Sequence, residues 1–394
     1  MRGRKNIAII SCLFLMGLLW LTGCGSPSSD STENSLVESA DQTEVVDWKD
    51  MKPVGSMELL YAENFSVDYY EGGFKLLETM DGTQILVVPE DEEIPQNVDE
   101  DTIVLKQPVQ NMYLVSSAVM DIFSKLDAID TLRFSSQTED NWYVDNAKQA
   151  MEDGGLIYAG KYNKPDYELI VSEGCSLAIE NSMIFHSPEV IEMLESFDIP
   201  VMVEYSSYES HPMGRVEWIK FFGALVDKEE EAQRIFDEQI DILDSVAANE
   251  NTGKTVAFFY ITSNGLVQVR QSNDYIPKMI ELAGGRYIFD NLGDPESKRS
   301  TMNMQVEEFY DGAKDADYII YNSTIDGGVS SVDELIDKCP VLADFKAVKD
   351  GNVWCTTNDM YQQSMSIGYM IKDIHSMLCD DDEDDMTYLF KLVN

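Results

Sequence analysis

The stretch GRVEWIKFFGALVDKEEEAQRIFDEQIDILDSVAA, residues 214–248, decides how the rest of the chain is organised. Its first third predicts a helix over 215–226, because apolar residues recur there at helical spacing. Asp227 and Glu230 have the spacing of a capping box, which predicts a second helix over 228–248. A helix of about twenty residues is about 30 Å long, roughly the width of a small domain. We therefore expect a rigid helical spacer between two other parts of the chain.

Strand and helix signals alternate on both sides of this spacer. Strands that alternate with helices need crossover connections, which indicates a largely parallel sheet in each part. Before the first such block, three short alternating runs between residues 65 and 88 are separated by Gly72-Gly73 and Asp81-Gly82, which is typical of β-hairpins. The sequence thus predicts an α/β fold with two lobes, each holding a mainly parallel sheet flanked by helices, joined by one long backbone helix, plus an N-terminal β-rich extension.

The N-terminus has the features of a secretory leader. Arg2, Arg4 and Lys5 precede an apolar run over 7–21, which is too short for a comfortable membrane span. The run ends in Leu21-Thr22-Gly23-Cys24, which looks like the bacterial lipobox, so we expect cleavage before Cys24 and lipid modification of that cysteine. The mature protein is then extracytoplasmic and lipid-anchored to the cell membrane. The expected segments are a signal peptide over 1–23, a flexible tether over 24–52, an N-terminal lobe over 53–213 that starts with the β-rich extension over 53–105, linking helices over 214–248 and a C-terminal lobe over 249–394.

The overall composition excludes some classes of partner. The 394 residues carry 72 acidic and 28 basic side chains, a formal net charge of −44 at pH 7. Such a chain repels nucleic acids and anionic lipid surfaces, so neither is an expected partner. The sequence has no glycine-rich phosphate loop, nucleophile elbow or paired catalytic motif, so we do not expect an enzyme. Four cysteines after Cys24 show no metal-type spacing, and disulfides among them stay an open question: Cys175, Cys339, Cys355 and Cys379.

Seven short motifs stand in the order and spacing of a known family. They are Ser116-Ser117, Pro165-Asp166-Tyr167-Glu168-Leu169-Ile170, Phe197-Asp198-Ile199-Pro200-Val201, Lys228-Glu229-Glu230-Glu231-Ala232, Ala283-Gly284-Gly285, Ala316-Asp317-Tyr318-Ile319-Ile320 and Ala347-Val348-Lys349-Asp350-Gly351-Asn352-Val353. Over residues 110–378 the chain therefore resembles the helical-backbone substrate-binding lipoproteins of ABC importers, the class that captures iron-siderophores, haem and cobalamin. Two motifs depart from the family pattern: Asp198 stands where a glycine is usual, and the motif that opens the backbone helix also lacks its glycine.

The resemblance implies a ligand held in the cleft between the lobes and its delivery to an ABC permease with an associated ATPase. It also implies one exposed glutamate on each lobe that docks into arginine pockets of the permease. Glu168 matches the position on the first lobe, and Glu307 or Glu308 matches the position on the second. Arginine–carboxylate pairing suits docking because it is bidentate and directional. The binding protein itself is expected to be a monomer.

Candidate ligand contacts follow from the positions of the predicted strands. In open α/β sheets, ligands bind beyond the carboxyl ends of the strands. A metal chelate needs flat aromatic faces for its organic shell and cations for its anionic oxygens. Loops at the strand ends, together with one further loop, supply such residues: Ser116, Ser117, Trp142, Tyr143, Lys161, Tyr162, Tyr205, Tyr208, His211, Arg215 and Arg270. The tyrosines have an alternative role as core or surface residues, and Arg215 has alternative partners in Glu217 and Glu204.

The expected ligand is an Fe(III) chelate, most simply an iron-siderophore, with haem or cobalamin (a corrinoid) as alternatives. For haem, His211 is the best placed of the three histidines to bind the iron. Three widely spaced histidines argue against a direct metal site, and we expect no cofactor of the protein's own. A hypothesis of another class is a surface adhesion or sensing protein that reuses this fold. A neighbouring permease gene would separate the two.

Overall fold

The computed structural model describes residues 46–247, 251–294, 299–380 and 385–394. The predicted signal peptide, Cys24 and most of the predicted tether lie outside these residues. Within the described ranges, no helix has both the length and the apolar composition that crossing a membrane requires. Cys175, Cys339 and Cys355 are present as thiols.

The first strands form a five-stranded sheet of their own. They are β1 (Pro53–Ser56), β2 (Phe65–Tyr70), β3 (Lys75–Thr79), β4 (Gln84–Val88) and β5 (Ile103–Lys106). The strand order follows the chain, and every pair is antiparallel except β4–β5. The predicted hairpins are confirmed, and Gly72 and Gly82 have φ angles of 82° and 88°, a region that residues with a side chain rarely adopt. One face of this sheet joins the main hydrophobic core through Phe65, Leu77 and Ile85.

A second five-stranded sheet forms the centre of the N-terminal lobe. The elements in chain order are β6 (Met112–Leu114), α1 (Met120–Lys125), β7 (Leu132–Ser135), α2 (Asp145–Glu152), β8 (Ile157–Tyr158), β9 (Gly160–Lys161), β10 (Lys164–Pro165), α3 (Tyr167–Ser172), β11 (Ala178–Glu180), α4 (Pro188–Glu195) and β12 (Val201–Val203). The strand order is β12-β11-β6-β7-β8, and all four pairs are parallel. β9 and β10 form a separate hairpin. The alternation of strands and helices therefore predicted this sheet correctly.

Two consecutive helices, α5 (Pro212–Leu225) and α6 (Glu229–Ala247), form the linking segment. All of α5 except Arg215 is buried, whereas α6 buries a single stripe. The predicted capping role of Asp227 is wrong, because α6 begins at Glu229 and Asp227 has a φ angle of 61° instead of an extended conformation. Its carboxylate lies 3.0 Å from Lys75 Nζ, so Asp227 ties the linker to strand β3.

The departures from the family's glycines have one physical explanation. Asp198 has a φ angle of 59°, and Asp227, in the turn before the backbone helix, has 61°. Aspartate is among the few residues with a side chain that tolerate this left-handed region. Both turns therefore keep a backbone conformation that glycine adopts without strain.

Two buried glutamates fasten the N-terminal extension to α5. The fully buried carboxylate of Glu217 accepts hydrogen bonds of 2.8 to 3.1 Å from the backbone amides of residues 60–62. It also accepts one of 2.9 Å from Lys220 Nζ. Glu209 accepts bonds from the amides of residues 63–64. A short segment of the extension thus supplies backbone donors that, together with Lys220 and Trp218, satisfy the two buried carboxylates.

The C-terminal lobe is built on a seven-stranded mixed sheet. Its elements are β13 (Thr255–Ile261), β14 (Val267–Arg270), α7 (Tyr275–Leu282), β15 (Arg286–Tyr287), β16 (Thr301–Met304), α8 (Val306–Ala313), β17 (Tyr318–Tyr321), α9 (Val332–Lys338), α10 (Lys346–Asp350), β18 (Val353–Thr356), α11 (Ile367–Cys379) and β19 (Leu389–Lys391). The strand order is β16-β14-β13-β17-β18-β19, with β15 also paired to β13. The strands β13, β17 and β18 and the pair β13–β15 are parallel, and antiparallel strands complete both edges. The predicted α/β class with helix-flanked parallel sheets is confirmed.

One hydrophobic core runs through the N-terminal lobe and the linker into the second lobe. Residues of α7 and α11, such as Ile276, Met279 and Ile371, belong to the same cluster as Trp218 and Phe236 of the linking helices. The remaining face of the C-terminal sheet packs on a separate cluster. The two lobes are therefore joined on one side by continuous apolar packing.

Candidate functional site

A cavity of about 350 Å³ lies between the lobes. The first lobe lines it with Ser117, Ala118, Ile122, Ser206 and Ser207. The linking helix and second lobe line it with Arg215, Gln268, Arg270, Asp274, Tyr275, Ser300, Thr301, Ile325, Met360, Tyr361, Ser364, Ile367 and Met370. Small-molecule sites in proteins have volumes of about 300–1,000 Å³, so this cavity is large enough for a small organic ligand.

Arg270, the last residue of β14, lies in the cavity wall with a side chain that is only 11% exposed. One guanidinium nitrogen lies 3.6 Å from a carboxylate oxygen of Asp274, and another donates to the hydroxyl of Tyr361. Asn322 Nδ2 also donates to that hydroxyl, at 2.9 Å. Burial raises the pKa of Asp274, and the nearby arginines Arg270 and Arg215 act against that rise. The residues around Arg270 form a connected, largely desolvated polar network.

Arg215 is the second cation of the cavity. Its guanidinium carbon lies 3.9 Å from the centre of the Tyr275 ring, which is a cation–π contact. The two alternative partners predicted for it are engaged elsewhere: Glu217 with Lys220, and Glu204 with Ser116. Arg215 thus holds its charge against an aromatic face, where its remaining donors can serve an anionic ligand.

Of the predicted ligand contacts, the structure brings Ser117, Arg215 and Arg270 together in the cavity lining. Ser116 lies beneath it, and its hydroxyl donates to Glu204 at 2.6 Å. Trp142 is buried in the first lobe and donates its indole N–H to Ser135 Oγ at 3.1 Å. These last two residues therefore support the lobe and do not line the cavity.

Two aromatic candidates of the first lobe, Tyr205 and His211, contact the N-terminal extension. Tyr205 donates its hydroxyl to Asp81 at 2.9 Å and packs edge-on against Tyr208, with ring centres 5.5 Å apart. His211 caps α5, because its Nδ1 accepts from a backbone amide, and its ring stacks on Tyr61 at 4.4 Å. These side chains thus contact the N-terminal extension. The strand-end rule does not predict how the extension packs.

Three further candidates lie outside the cavity lining at the surface of the first lobe. The β9–β10 hairpin carries Lys161, which is exposed, and Tyr162, which packs against the core. Tyr143 is 45% exposed, and its backbone amide donates to Gln362 Oε1 at 2.8 Å.

Part of the cavity lining consists of residues that were not among the predicted ligand contacts. Met360, Tyr361 and Ser364 follow the carboxyl end of β18, so the strand-end rule applied to that strand identifies them. Gln268 and Thr301 lie on the antiparallel strands β14 and β16, whose direction the rule does not cover. Within the described ranges, no group of three or more His, Cys, Asp or Glu side chains is arranged to hold a metal ion.

Glu180, at the carboxyl end of β11, is a buried acid in the first lobe. In the described structure neither of its carboxylate oxygens has a hydrogen-bond partner. Burial raises its pKa from about 4.5 to about 8. The neutral form is thus favoured in the fold, and the stability it contributes is complete below about pH 4.5 and is lost as the pH rises to about 8.

We therefore expect Glu180→Gln to remove this pH dependence. Between pH 5 and pH 8, the free energy of unfolding of the wild type should fall more than that of the variant, by roughly 2–4 kcal/mol. Urea unfolding at the two pH values measures the difference. Glu192→Gln, at an exposed position on α4, is the matched control and should behave like the wild type. Parallel pH slopes for wild type and Glu180→Gln would contradict the expectation.

Comparison with known proteins extends over most of the chain. A family model described as periplasmic binding protein matches residues 115–360. An uncharacterized lipoprotein of Methanocaldococcus jannaschii is 26% identical over 385 residues, which cover 91% of this chain and 89% of that protein. A periplasmic binding protein of Veillonella parvula has a TM-score of 0.56 at 16% identity, covering 76% of this chain and 96% of that one. The periplasmic heme binding protein HutB of Vibrio cholerae has a TM-score of 0.54 at 16% identity, covering 67% and 97%.

Proposed function

Because the chain belongs to the periplasmic binding protein family, we propose that it is the extracytoplasmic solute-binding component of an ABC importer. It captures a metal chelate in the cavity between its lobes and delivers it to the permease and ATPase of the same system. The family is one of binding proteins, so the chain is not an enzyme. The adhesion or sensing alternative has no comparable support.

The arrangement of Arg215 and Arg270 carries the proposal for the ligand. Two guanidinium groups and a single carboxyl group, that of Asp274, line the cavity of a chain with a net charge of −44, so basic groups outnumber acidic ones where a solute would bind. Anionic oxygens of a ferric chelate suit such donors, because guanidinium–oxyanion hydrogen bonds are charge-assisted. Tyr275, Tyr361 and the flexible side chain of Met370 offer apolar surface for its organic shell. We therefore favour an iron-siderophore with a net negative charge.

Haem is the second candidate because of the environment of Tyr361. Its phenolic oxygen receives donors from both Arg270 and Asn322, an arrangement that stabilises a phenolate. Tyrosine is one of the side chains that bind haem iron in proteins. His211, the haem ligand expected from the sequence, faces Tyr61 instead of the cavity.

A ligand panel tests the proposal. Isothermal titration of the purified protein with a ferric catecholate, a ferric hydroxamate, haem and cobalamin should show tight binding of one ferric chelate. Iron-free forms of the same chelators are the controls. Haem binding with a phenolate-to-iron absorption band, lost in Tyr361→Phe, would select the second candidate. Binding of cobalamin alone, or of none of the four, would contradict the proposed ligand class.

The partner proposal concerns the glutamates Glu168, Glu307 and Glu308, all of which are exposed. Each lies in the first turn of its helix, α3 or α8. If these carboxylates meet permease cations at a partly desolvated contact, removing them costs several kcal/mol. We expect the triple variant to alanine to keep the ligand dissociation constant and to lower uptake by the reconstituted importer roughly 10-fold or more.

The matched control for this test replaces exposed glutamates away from the proposed contacts, Glu192 and Glu230, by alanine. Its uptake should equal that of the wild type. Wild-type uptake in the triple variant as well would show that these glutamates belong only to the solvated acidic surface.

The anchor proposal concerns Cys24 and the lipobox that precedes it. The lipoprotein relative supports membrane attachment by the same route. We expect Cys24→Ala to abolish incorporation of labelled palmitate and to leave the leader uncleaved. Palmitate labelling at the wild-type level in this variant would rule the assignment out.

A further inference from the structure

A single loop connects the cavity to the opposite lobe. Residues 357–366, which we call the strap, run from the end of β18 to the start of α11 in the C-terminal lobe. Within the strap, Met360, Tyr361 and Ser364 line the cavity. Tyr361 is bound through its hydroxyl to Arg270 and Asn322 of the same lobe. The contact with Arg270, a residue that we expect to bind the ligand, therefore holds the cavity-facing side of the strap in position.

The same loop also makes four hydrogen bonds to the N-terminal lobe. Gln362 accepts from the amide of Tyr143 and donates to the carbonyl oxygen of Asn141, both at 2.8 Å. Ser364 Oγ donates to the carbonyl oxygen of residue 118 at 2.7 Å. The amide of residue 365 donates to Asp121 Oδ2 at 2.8 Å. Two separate segments of the first lobe are thus held by ten consecutive residues of the second.

This polar connection differs in kind from the apolar one. The helices α5, α6, α7 and α11 share a hydrophobic core, which resists separation of the lobes on that side. Three of the four strap bonds, those of Gln362 and Ser364, are at least partly exposed, so water can replace them at low cost, whereas the bond to Asp121 is buried. In addition, Thr357 Oγ1 and Asp359 Oδ1 are buried without partners in the described structure. Each such group costs free energy while it stays buried, which lowers the stability of the strap in this conformation.

We propose that residues 357–366 form an interlobe strap whose attachment is coupled to the Arg270–Tyr361 contact in the cavity. When the strap is bound to the first lobe, the cleft is closed on the polar side. A solute that engages Arg270 changes the position of Tyr361 and, with it, the register of Gln362 and Ser364 towards the first lobe.

The test uses the ligand-free, full-length protein, so it does not depend on the identity of the solute. Spin labels are attached through ketone-bearing amino acids at Glu152 and Asp333, exposed positions on α2 and α9, which leaves the cysteines untouched. Pulsed electron–electron double resonance then measures the distance between the two labels, and thus between the lobes. A neutral hydrogen bond is worth about a factor of five in an equilibrium constant. We expect Gln362→Ala with Ser364→Ala to raise the open population roughly 10- to 100-fold, visible as a second, longer distance.

Two further variants make the test decisive. Tyr361→Phe, which removes the hydroxyl bound by Arg270, should also populate the longer distance. Gln363→Ala is the matched control in the same loop, because the interlobe bonds described for this loop come from Gln362, Ser364 and residue 365, and it should reproduce the wild-type distribution. The single variant Gln362→Ala should give an intermediate shift and replaces the double variant if that one does not fold. If the Gln362 variants show the wild-type distance distribution, residues 357–366 do not hold the lobes together. If Tyr361→Phe shows it, attachment of the strap is not coupled to the Arg270–Tyr361 contact.

Discussion

Replacing Arg270 with Met is expected to weaken binding of an anionic ferric chelate by about 100-fold, because truncating one member of a desolvated charge pair costs about 2–5 kcal/mol. The side chain of Arg270 is largely buried between Asp274 and Tyr361 in the cavity wall. Water therefore cannot replace the hydrogen bonds that it would make to the ligand. Isothermal titration with the ferric chelate that the panel identifies measures the loss. Methionine keeps most of the apolar length of arginine, which confines the change to charge and hydrogen bonds.

Two companion variants isolate the cause. Arg270→Met leaves the buried carboxylate of Asp274 without its ion pair, so the double variant with Asp274→Asn removes that unpaired charge and should still bind weakly. Asparagine keeps an acceptor for the amide of Ile276, which Asp274 caps at 3.0 Å. The surface variant Arg286→Met, which removes an exposed pair with Asp290, is the matched control and should bind like the wild type. Wild-type affinity in Arg270→Met would exclude this arginine from ligand recognition.

The second large effect is expected for Glu217→Ala. This change removes the acceptor of the backbone amides of residues 60–62, which are partly or fully buried, and leaves the buried ammonium of Lys220 with only the carbonyl oxygen of Glu58 as an acceptor. Breaking a buried ion pair in this way destabilises proteins by about 3–5 kcal/mol. We expect a matching fall in the free energy of unfolding in urea, together with new proteolytic cleavage between residues 53 and 64.

Two further variants, one conservative and one at the surface, serve as controls for the stability loss expected in Glu217→Ala. Glu217→Gln retains one acceptor oxygen and should lose less stability than Glu217→Ala. Glu230→Ala, at an exposed position of α6, should change stability by no more than about 0.5 kcal/mol. Equal stability of wild type and Glu217→Ala would show that the extension is held by apolar packing alone.

The sequence predicted the elements with strong periodicity and missed the polar contacts between distant segments. Helical spacing identified α5 and α6 to within a few residues, because apolar stripes follow directly from helix geometry. The charged Glu217 carries no signal of complete burial, since its partners are backbone amides more than 150 positions away. Asp227 looked like a cap because the pattern of residue types does not encode a φ angle.

The candidate site was predictable to the same degree. Arg215 and Arg270 follow from their positions near the linker and at a strand end, and the structure places both in the cavity. Tyr205 and His211 satisfy the same rule, yet the N-terminal extension engages them first. Whether a strand-end side chain faces the cleft thus depends on which other segment packs beside it, and that packing is a tertiary property.

The bonds from Glu217 and Glu209 to residues 60–64 also bear on how the chain folds. Their partners are separated by 145 to 157 positions along the sequence. A chain emerges with its N-terminal end first, so the extension must wait for α5 before its backbone donors are satisfied. Contacts of such long range slow folding, because loop closure comes before the contact is formed. The extension is therefore expected to reach its native state late, after the linker has been synthesised, and to be the segment most exposed to chaperones or proteases until then.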